Sequence, residues 1–90
     1  YSNDDIPIVI TEESFNKLKK CKYKDVNTDI KKLNSKCMIT LDEFNDDDDI
    51  IILPCGHVFM LDEITSWLRE NSYKCPTCRN PCGNYYAKIN

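Results

Sequence analysis

The chain lacks the long apolar runs, internal repeats and low-complexity linkers that would mark a membrane span, a solenoid or a flexible tail. Its 90 residues contain no run of 18 apolar residues, so no segment of this piece is predicted to cross a membrane. It has one alanine, which we interpret as a coding bias, and one histidine. Because the chain begins at Tyr1 and not at methionine, we expect a fragment, in which the absence of a signal peptide says little about compartment.

A chain of 90 residues makes one small domain, with room for an extension but not for a second domain. Such a chain buries a limited core and usually needs disulfides or a metal to stabilise it. The chain has six cysteines, which could form three disulfides in many connectivities. However, three of them lie in the groupings Cys55-x-His57 and Cys75-x-x-Cys78, together with the only histidine. Thiolates and an imidazole at this spacing suit tetrahedral zinc, so we predict a metal site.

The predicted ligands are three thiolates and one imidazole, from Cys55, His57, Cys75 and Cys78. Four protein ligands leave no open position for water, so the zinc is expected to be structural and not hydrolytic. Metal binding would supply much of the folding free energy, on the order of 10 kcal/mol for a site of this type. Zinc thiolates also indicate a reducing compartment, and we expect the cytosol or the nucleus.

The net charge of −3 argues against nucleic acid as the main partner. The charge is segregated along the chain. Residues 17–36 hold eight lysines against two aspartates, whereas residues 42–49 are rich in acids and contain no basic residue. A solvated helix face and a solvated loop explain both patches without a binding function.

The first part of the chain is predicted to be mainly helical. "IPIVI" (6–10) could be a packing arm or an edge strand. Thr11 is a candidate N-cap for an amphipathic helix over roughly 12–22, with Phe15 on its apolar stripe. A second, weaker helix is predicted from residue 28 or 29 to about residue 34.

The second part of the chain has the pattern of a hairpin followed by a helix. "CMITLDEF" is predicted as a short extended segment, followed by an exposed acidic loop. Two β-rich runs, at 50–53 and 57–60, flank a Pro-Cys-Gly turn and predict a hairpin. Asp62 is a candidate N-cap for a helix over about 63–70. "YYAKI" (85–89) is a candidate closing strand.

The pattern C-x-I-x…LPCGHVF…I-x-x-WL…CPTCR resembles a RING finger of ubiquitin ligases over roughly residues 34–82. The segments that carry the resemblance, in the family's order and spacing, are Leu53-Pro54-Cys55-Gly56-His57, Trp67-Leu68 and Cys75-Pro76-x-Cys78-Arg79. The resemblance implies a small zinc-stabilised α+β fold with a RING-like ββα core. We expect residues 37–90 to form this RING-like zinc-finger domain and residues 1–36 a helical N-terminal extension.

A usual RING finger binds two zinc ions through eight ligands in a cross-brace. The third, fourth, seventh and eighth ligand positions, which share one ion, are all filled here. For the other ion, Cys37 is in the first position, but Thr40, Met60 and Glu63 stand in the second, fifth and sixth. The resemblance is therefore to a one-zinc variant, similar in metal count to the Siz/PIAS-type RING of SUMO ligases, whereas a U-box keeps no zinc. A flexible thioether at Met60 would fill a gap, and Thr40 and Glu63 could hydrogen-bond each other or nearby backbone.

An alternative is a rebuilt second metal site that uses Cys37 with Cys21, Cys82 or Glu63. Otherwise Cys21 and Cys82 are expected to be ordinary thiols. Neither has an adjacent histidine, so neither is a candidate catalytic nucleophile.

The resemblance also implies a function and the residues that perform it. RING ligases bind a ubiquitin-conjugating enzyme charged with ubiquitin and promote transfer to a substrate lysine without a covalent intermediate of their own. Ile39, Trp67 and Pro76 match the family's apolar groove for the conjugating enzyme, and Arg79 matches the "linchpin" that contacts both ubiquitin and that enzyme. Three of the four also have a simpler interpretation: Trp67 as core, Pro76 as a stiffener of the turn and Arg79 as a surface cation.

Two further functions remain open from the sequence. "CMITL" together with a single zinc is reminiscent of SUMO ligases of the Siz/PIAS type, although "LPCGHVF" and Arg79 favour ubiquitin. A non-catalytic, zinc-dependent interaction module is the other alternative. The joint presence of the four groove and linchpin residues argues against it.

Overall fold

The computed structural model describes residues 6–89, whose strands form two small antiparallel sheets. The helices and strands are, in chain order, β1 (Ile8–Ile10), α1 (Glu12–Asn16), β2 (Lys19–Lys22), α2 (Thr28–Leu33), β3 (Asp49–Ile52), β4 (Val58–Met60), α3 (Leu61–Glu70) and β5 (Tyr85–Ala87). One sheet pairs β1 with β5, and the other has the order β2-β3-β4. None of the helices within this described part has the length and apolar character that crossing a membrane requires.

The centre of the fold is the hairpin β3–β4 and the helix α3 that follows it. β3 pairs antiparallel with β4, and Ile50, Ile51 and Phe59 are fully buried in this pairing. From α3, Ile64 and Leu68 are also fully buried, and each such side chain contributes about 1.5–3 kcal/mol on burial. The predicted hairpin and ββα core are therefore confirmed.

The start of α3 differs from the prediction. Asp62 is not its N-cap, because β4 ends at Met60 and the helix begins at Leu61 without a connecting residue. Met60 takes the N-cap position and makes no side-chain capping hydrogen bond. Asp62 and Glu63 lie instead in the first turn, where the helix dipole favours acids.

The predicted helix over 12–22 is wrong in its second half. Thr11 caps it as expected, accepting a hydrogen bond from Ser14 N at 3.2 Å, but α1 ends at Asn16. Residues 19–22 form β2, which pairs along its whole length with β3. The spacing of Phe15 and Leu18 fits the predicted long helix as well as it fits the observed short helix and the turn after it. Both side chains are buried. Residues 19–22 form a strand because they pair with the distant strand β3, and local periodicity does not reveal such pairing.

Two of the N-terminal elements, β1 and α1, contact the C-terminal end of the chain. β1 pairs with β5, so "IPIVI" supplies a strand and "YYAKI" its partner. The second predicted helix is present as α2. Ser14 Oγ also accepts from Asn84 N at 2.9 Å, and a Cβ at Gly83 would lie 2.5 Å from the Ser14 Cβ. Glycine is required there because α1 lies so close to the C-terminal turn.

Candidate metal centre

The structure brings Cys55, His57, Cys75 and Cys78 together at one point. One ligand atom from each residue lies within 4.8 Å of all the others. His57 Nδ1 is 3.3 Å from Cys55 Sγ and 3.5 Å from Cys75 Sγ, so Nδ1 is the nitrogen that faces the thiols. Tetrahedral zinc, with bonds of about 2.3 Å to sulfur and 2.0–2.1 Å to nitrogen, places these atoms roughly 3.6 Å apart. The donor set and its spacing fit zinc.

Two tight turns present these ligands. The first connects β3 to β4, where Gly56 N donates to Leu53 O at 2.8 Å and Leu53 N donates to His57 O at 2.9 Å. Gly56 has φ +90°, a conformation that side-chain-bearing residues rarely adopt, so glycine suits this position. Cys55 and His57 thereby lie on the same side of one turn.

The second turn, residues 75–80, is named here the second knuckle. Its first residue, Cys75, donates its N–H to Asn80 O at 2.9 Å and accepts from Arg79 N at 2.9 Å. Arg79 has φ +66°, which turns the chain so that Cys75 and Cys78 reach the same point. Cys75 is fully buried and Cys78 is exposed, so the site lies at the edge of the core.

The thiols of the group differ in their protonation. Burial raises the pKa of Cys55 to about 12, whereas a hydrogen bond from the backbone of Asn80 lowers the pKa of Cys78. Zinc binds thiolates, so metal binding must release protons and its affinity falls as the pH falls. Burial also raises the pKa of Cys82 to about 12, and this residue remains a protonated thiol outside the group.

The three positions where the family has zinc ligands and this chain has other residues lie near one another, apart from the four-residue group. Thr40, Met60 and Glu63 line one open cavity of about 290 Å³. Its other lining residues are Asp42, Asp48, Asp49, Leu61 and Asp62. Thr40 Oγ1 accepts a hydrogen bond from Asp42 N at 3.2 Å, which agrees with the expected bond to nearby backbone, and none in residues 6–89 joins Thr40 to Glu63. The three positions are thus neighbours, and Thr40 bonds to nearby backbone and not to Glu63.

Residues 37–42, the first knuckle, surround Cys37 with the same backbone hydrogen bonds. Cys37 N donates to Asp42 O at 3.0 Å, Leu41 N donates to Cys37 O at 2.7 Å, and Leu41 has φ +66°. The segment "CMITLDEF" is therefore a turn, and its prediction as extended is wrong. The signal that the sequence offered was the ligand order of the resemblance, which gives Cys37 and Thr40 the same spacing as Cys75 and Cys78.

The rebuilt second metal site receives no support from the cysteine positions. Within residues 6–89, the four-residue group is the one set of at least three histidine, cysteine or acidic side chains close enough to share an ion. Cys37 is fully buried, Cys82 is buried, and Cys21 lies on β2 opposite Ile50. None of these three thiols belongs to that group or to another such set within the described residues.

The expected partner-binding residues lie on both knuckles and on α3. Ile39 is 37% exposed on the first knuckle, and Pro76 is half-buried on the second. Trp67 packs against the core, and its Nε1 donates to Lys74 O at 2.7 Å, which ties α3 to the second knuckle. The Arg79 guanidinium lies over the Trp67 ring, 5.7 Å from its centroid. The structure therefore brings Trp67 and Arg79 together.

Comparisons with known proteins agree with this geometry. The model of the Ring finger domain family matches residues 35–79. The RING-H2 finger protein ATL5 of Arabidopsis thaliana is 49% identical over 47 residues, which are 51% of this chain and 18% of that protein. The E3 ubiquitin-protein ligase RNF13 of Homo sapiens is 40% identical over 43 residues, 48% of this chain and 11% of that protein. The chain spans less than a fifth of the length of these curated relatives.

A solved structure shows the same fold. The crystal structure of the RING-H2 domain of Arabidopsis RMR1 superposes with a TM-score of 0.67 at 23% sequence identity. The match covers 81% of this chain and 95% of that one. The aligned region is longer than residues 37–90, so it includes part of the segment before the first knuckle.

Proposed function

The chain belongs to the RING finger family, and on this premise we propose that it is the ligase module of a ubiquitin-protein ligase. It binds a ubiquitin-conjugating enzyme charged with ubiquitin and promotes transfer to a lysine of a protein substrate. The observation that carries this proposal is the contact of Arg79 with Trp67 beside a complete zinc ligand set. The names of the relatives, several of which are E3 ubiquitin-protein ligases, support it.

In this proposal the chain acts by holding its partners and not by a nucleophile of its own. The substrate lysine amine attacks the thioester carbonyl, a C–N bond forms, the C–S bond breaks, and the conjugating enzyme leaves with its thiol. Orientation and preorganised hydrogen bonds can supply much of the rate gain in such a step. No covalent intermediate on this chain is needed.

Ile39, Trp67 and Pro76 form the proposed contact surface for the conjugating enzyme. The exposed Ile39 and half-buried Pro76 offer apolar area without requiring a rearrangement of the core. Trp67 is partly core, and its bond to Lys74 O fixes the indole against the second knuckle. A rigid aromatic anchor loses little conformational entropy when a partner binds.

Arg79 is the proposed linchpin between ubiquitin and the conjugating enzyme. Its guanidinium is a planar set of donors, suited to bridging two carbonyl-bearing surfaces. Its position over the Trp67 ring favours a guanidinium that is already oriented before the partners arrive.

One structural zinc ion, held by Cys55, His57, Cys75 and Cys78, is the proposed metal content. The other set of positions offers a hydroxyl, a thioether and a carboxylate, a poorer donor set for zinc than thiolates and imidazoles. Elemental analysis tests the count. Two ions per chain would mean a rebuilt first site, and no zinc would contradict the proposal. Thiolate ligands also favour a reducing compartment, and we propose the cytosol or the nucleus.

The ligase proposal is tested by incubating the chain with ubiquitin, activating enzyme and a panel of conjugating enzymes. Ile39→Ala should lower chain formation about tenfold or more, because an anchor contact is lost while the fold is kept. Leu33→Ala is the matched control, since it removes an apolar side chain that is 84% exposed on α2. No chains with any enzyme of the panel would overturn the proposal. In a parallel assay with SUMO and its own activating and conjugating enzymes, transfer of SUMO without transfer of ubiquitin would favour the Siz/PIAS alternative.

A further inference from the structure

Asn34, the residue that ends α2, is a buried polar side chain with three hydrogen bonds. It is 7% exposed. Its Nδ2 donates to Ile30 O at 2.9 Å and to Gly56 O at 3.0 Å, and its Oδ1 accepts from Val58 N at 3.1 Å. Because a buried donor or acceptor that loses its partner is costly, this amide is held in one orientation.

The two groups that Asn34 binds on the hairpin turn lie directly before and after His57. One side chain therefore fixes the backbone on both sides of His57. The first of the two groups, Gly56 O, belongs to the residue directly after Cys55. The turn's own hydrogen bonds, from Leu53 N to His57 O and from Gly56 N to Leu53 O, lie within the hairpin. Asn34 adds a connection to α2, outside the hairpin.

The backbone of Asn34 is anchored in turn. Tyr23 Oη donates to Asn34 O at 2.8 Å, and Asn34 N donates to Lys31 O at 3.2 Å. Asn34 also lies three residues before Cys37, the start of the first knuckle. The amide thus joins the segment that carries the first knuckle to the turn that carries two ligands of the metal group.

We propose that Asn34 is a positioning residue of the metal centre. Its amide holds the turn so that Cys55 Sγ and His57 Nδ1 face the two thiols of the second knuckle. Groups that orient metal ligands without binding the ion typically contribute about 10- to 100-fold to metal affinity. The inference rests on the zinc site proposed above and does not depend on ligase activity.

The test compares zinc affinity and the absorption spectrum of the Co²⁺-substituted chain for wild type, Asn34→Ala and Asn34→Asp. In Asn34→Ala, zinc affinity measured against a chelating dye should fall about 10- to 100-fold. The cobalt ligand-field bands should shift in position or intensity, because the ligand geometry changes. Asn34→Asp keeps the size and the acceptor for Val58 N but loses both donors, so it should show the same spectral change if the alanine variant does not fold.

Two controls separate positioning from general destabilisation. Asn27→Ala removes an asparagine hydrogen bond at the other end of α2, to Asp29 N, and should leave both readouts unchanged. Leu18→Ala lowers stability by truncating a buried side chain and should leave the cobalt bands unchanged. Wild-type cobalt bands in both Asn34 variants, or shifted bands in Leu18→Ala, would overturn the inference while the zinc site stands. A wild-type chain without a cobalt spectrum would overturn the zinc site itself.

Discussion

The first and second knuckles follow the same backbone path, although only the second carries two metal ligands. In each, the cysteine N–H donates to a carbonyl five residues ahead, at 3.0 and 2.9 Å, and the cysteine carbonyl accepts from the residue four ahead. Leu41 and Arg79 occupy equivalent places with the same φ of +66°. The two turns therefore share one backbone hydrogen-bond pattern, although Thr40 stands in the first where Cys78 stands in the second.

The two knuckles differ in what stabilises them against the rest of the chain. The second would be crosslinked to the hairpin turn by the zinc ion proposed at the four-residue group. The first is held by protein contacts: Phe44 N donates to Ser35 O at 3.2 Å, and the ring of Phe44 stacks on Tyr23 with centroids 4.8 Å apart. The segment that supplies Tyr23 lies before residue 37, and under the one-zinc proposal it would take the role that a second ion has in a two-zinc RING.

Replacing Cys75 should have the largest effect of any single change, because it removes a ligand of the zinc site. We expect Cys75→Ser to lose zinc and, with it, folding free energy on the order of 10 kcal/mol. Cys37→Ser, the same change on the first knuckle, should keep one zinc and cost about 1–3 kcal/mol for a buried hydroxyl. Elemental analysis and thermal unfolding of both variants measure the difference. Equal zinc loss would show that Cys37 is a ligand.

The first knuckle should accept a second zinc if its missing ligands are restored. In the triple variant T40C/M60H/E63C, the three changed positions line one cavity beside a knuckle of the right shape. Zinc content should rise from one to two ions per chain, and stability should increase by several kcal/mol, below the roughly 10 kcal/mol of a complete site.

The control for this restoration is the triple variant T40S/M60L/E63Q, which changes the same positions without adding ligands. It should bind one zinc, as wild type does. A restored variant that still bound one ion would show that the Cys37 thiol, which is fully buried, points away from the cavity. The two knuckles would then be alike in their backbones but not in the direction of their cysteine side chains.

The sequence predicted the metal-bearing half of the fold better than the other half. Cys55, His57, Cys75 and Cys78 were identifiable because ligand type and spacing are strict chemical requirements that need no knowledge of the fold. The strand β2 was missed because its pairing with β3 joins residues about thirty positions apart, and local spacing fitted a helix. Asn34 gave no signal, since its partners are backbone groups on a distant turn.

Removing the aromatic contact of the first knuckle should have an intermediate effect. We expect Tyr23→Ala to cost about 2 kcal/mol, because it loses the stack on Phe44, partly buried area and the hydrogen bond to Asn34 O. Tyr23→Phe keeps the stack and should cost about 1 kcal/mol for the hydroxyl alone. Urea unfolding of the zinc-loaded chain measures both. Equal costs for the two variants would assign the effect to the hydrogen bond and not to the stack.

The smallest expected effects come from the two residues with φ of +66°. A side chain in this conformation costs about 1–2 kcal/mol, and glycine relieves that strain but gains entropy in the unfolded chain. Leu41→Gly should therefore stabilise by about 0.5 kcal/mol, since Leu41 is 63% exposed and loses little burial. Arg79→Gly should gain a similar amount of stability from the relief of backbone strain, but it loses the contact with Trp67.

The same pair of variants separates backbone from side-chain roles on the two knuckles. Under the proposed function, Arg79→Gly should lower ubiquitin transfer at least tenfold, by the loss of charged hydrogen bonds of about 1.5–3 kcal/mol, while Leu41→Gly should not. Urea unfolding and discharge of the charged conjugating enzyme measure stability and transfer in parallel. If both variants lost transfer equally, the turn shape and not the guanidinium would be the requirement. The likeness of the two knuckles would then extend from their backbones to their function.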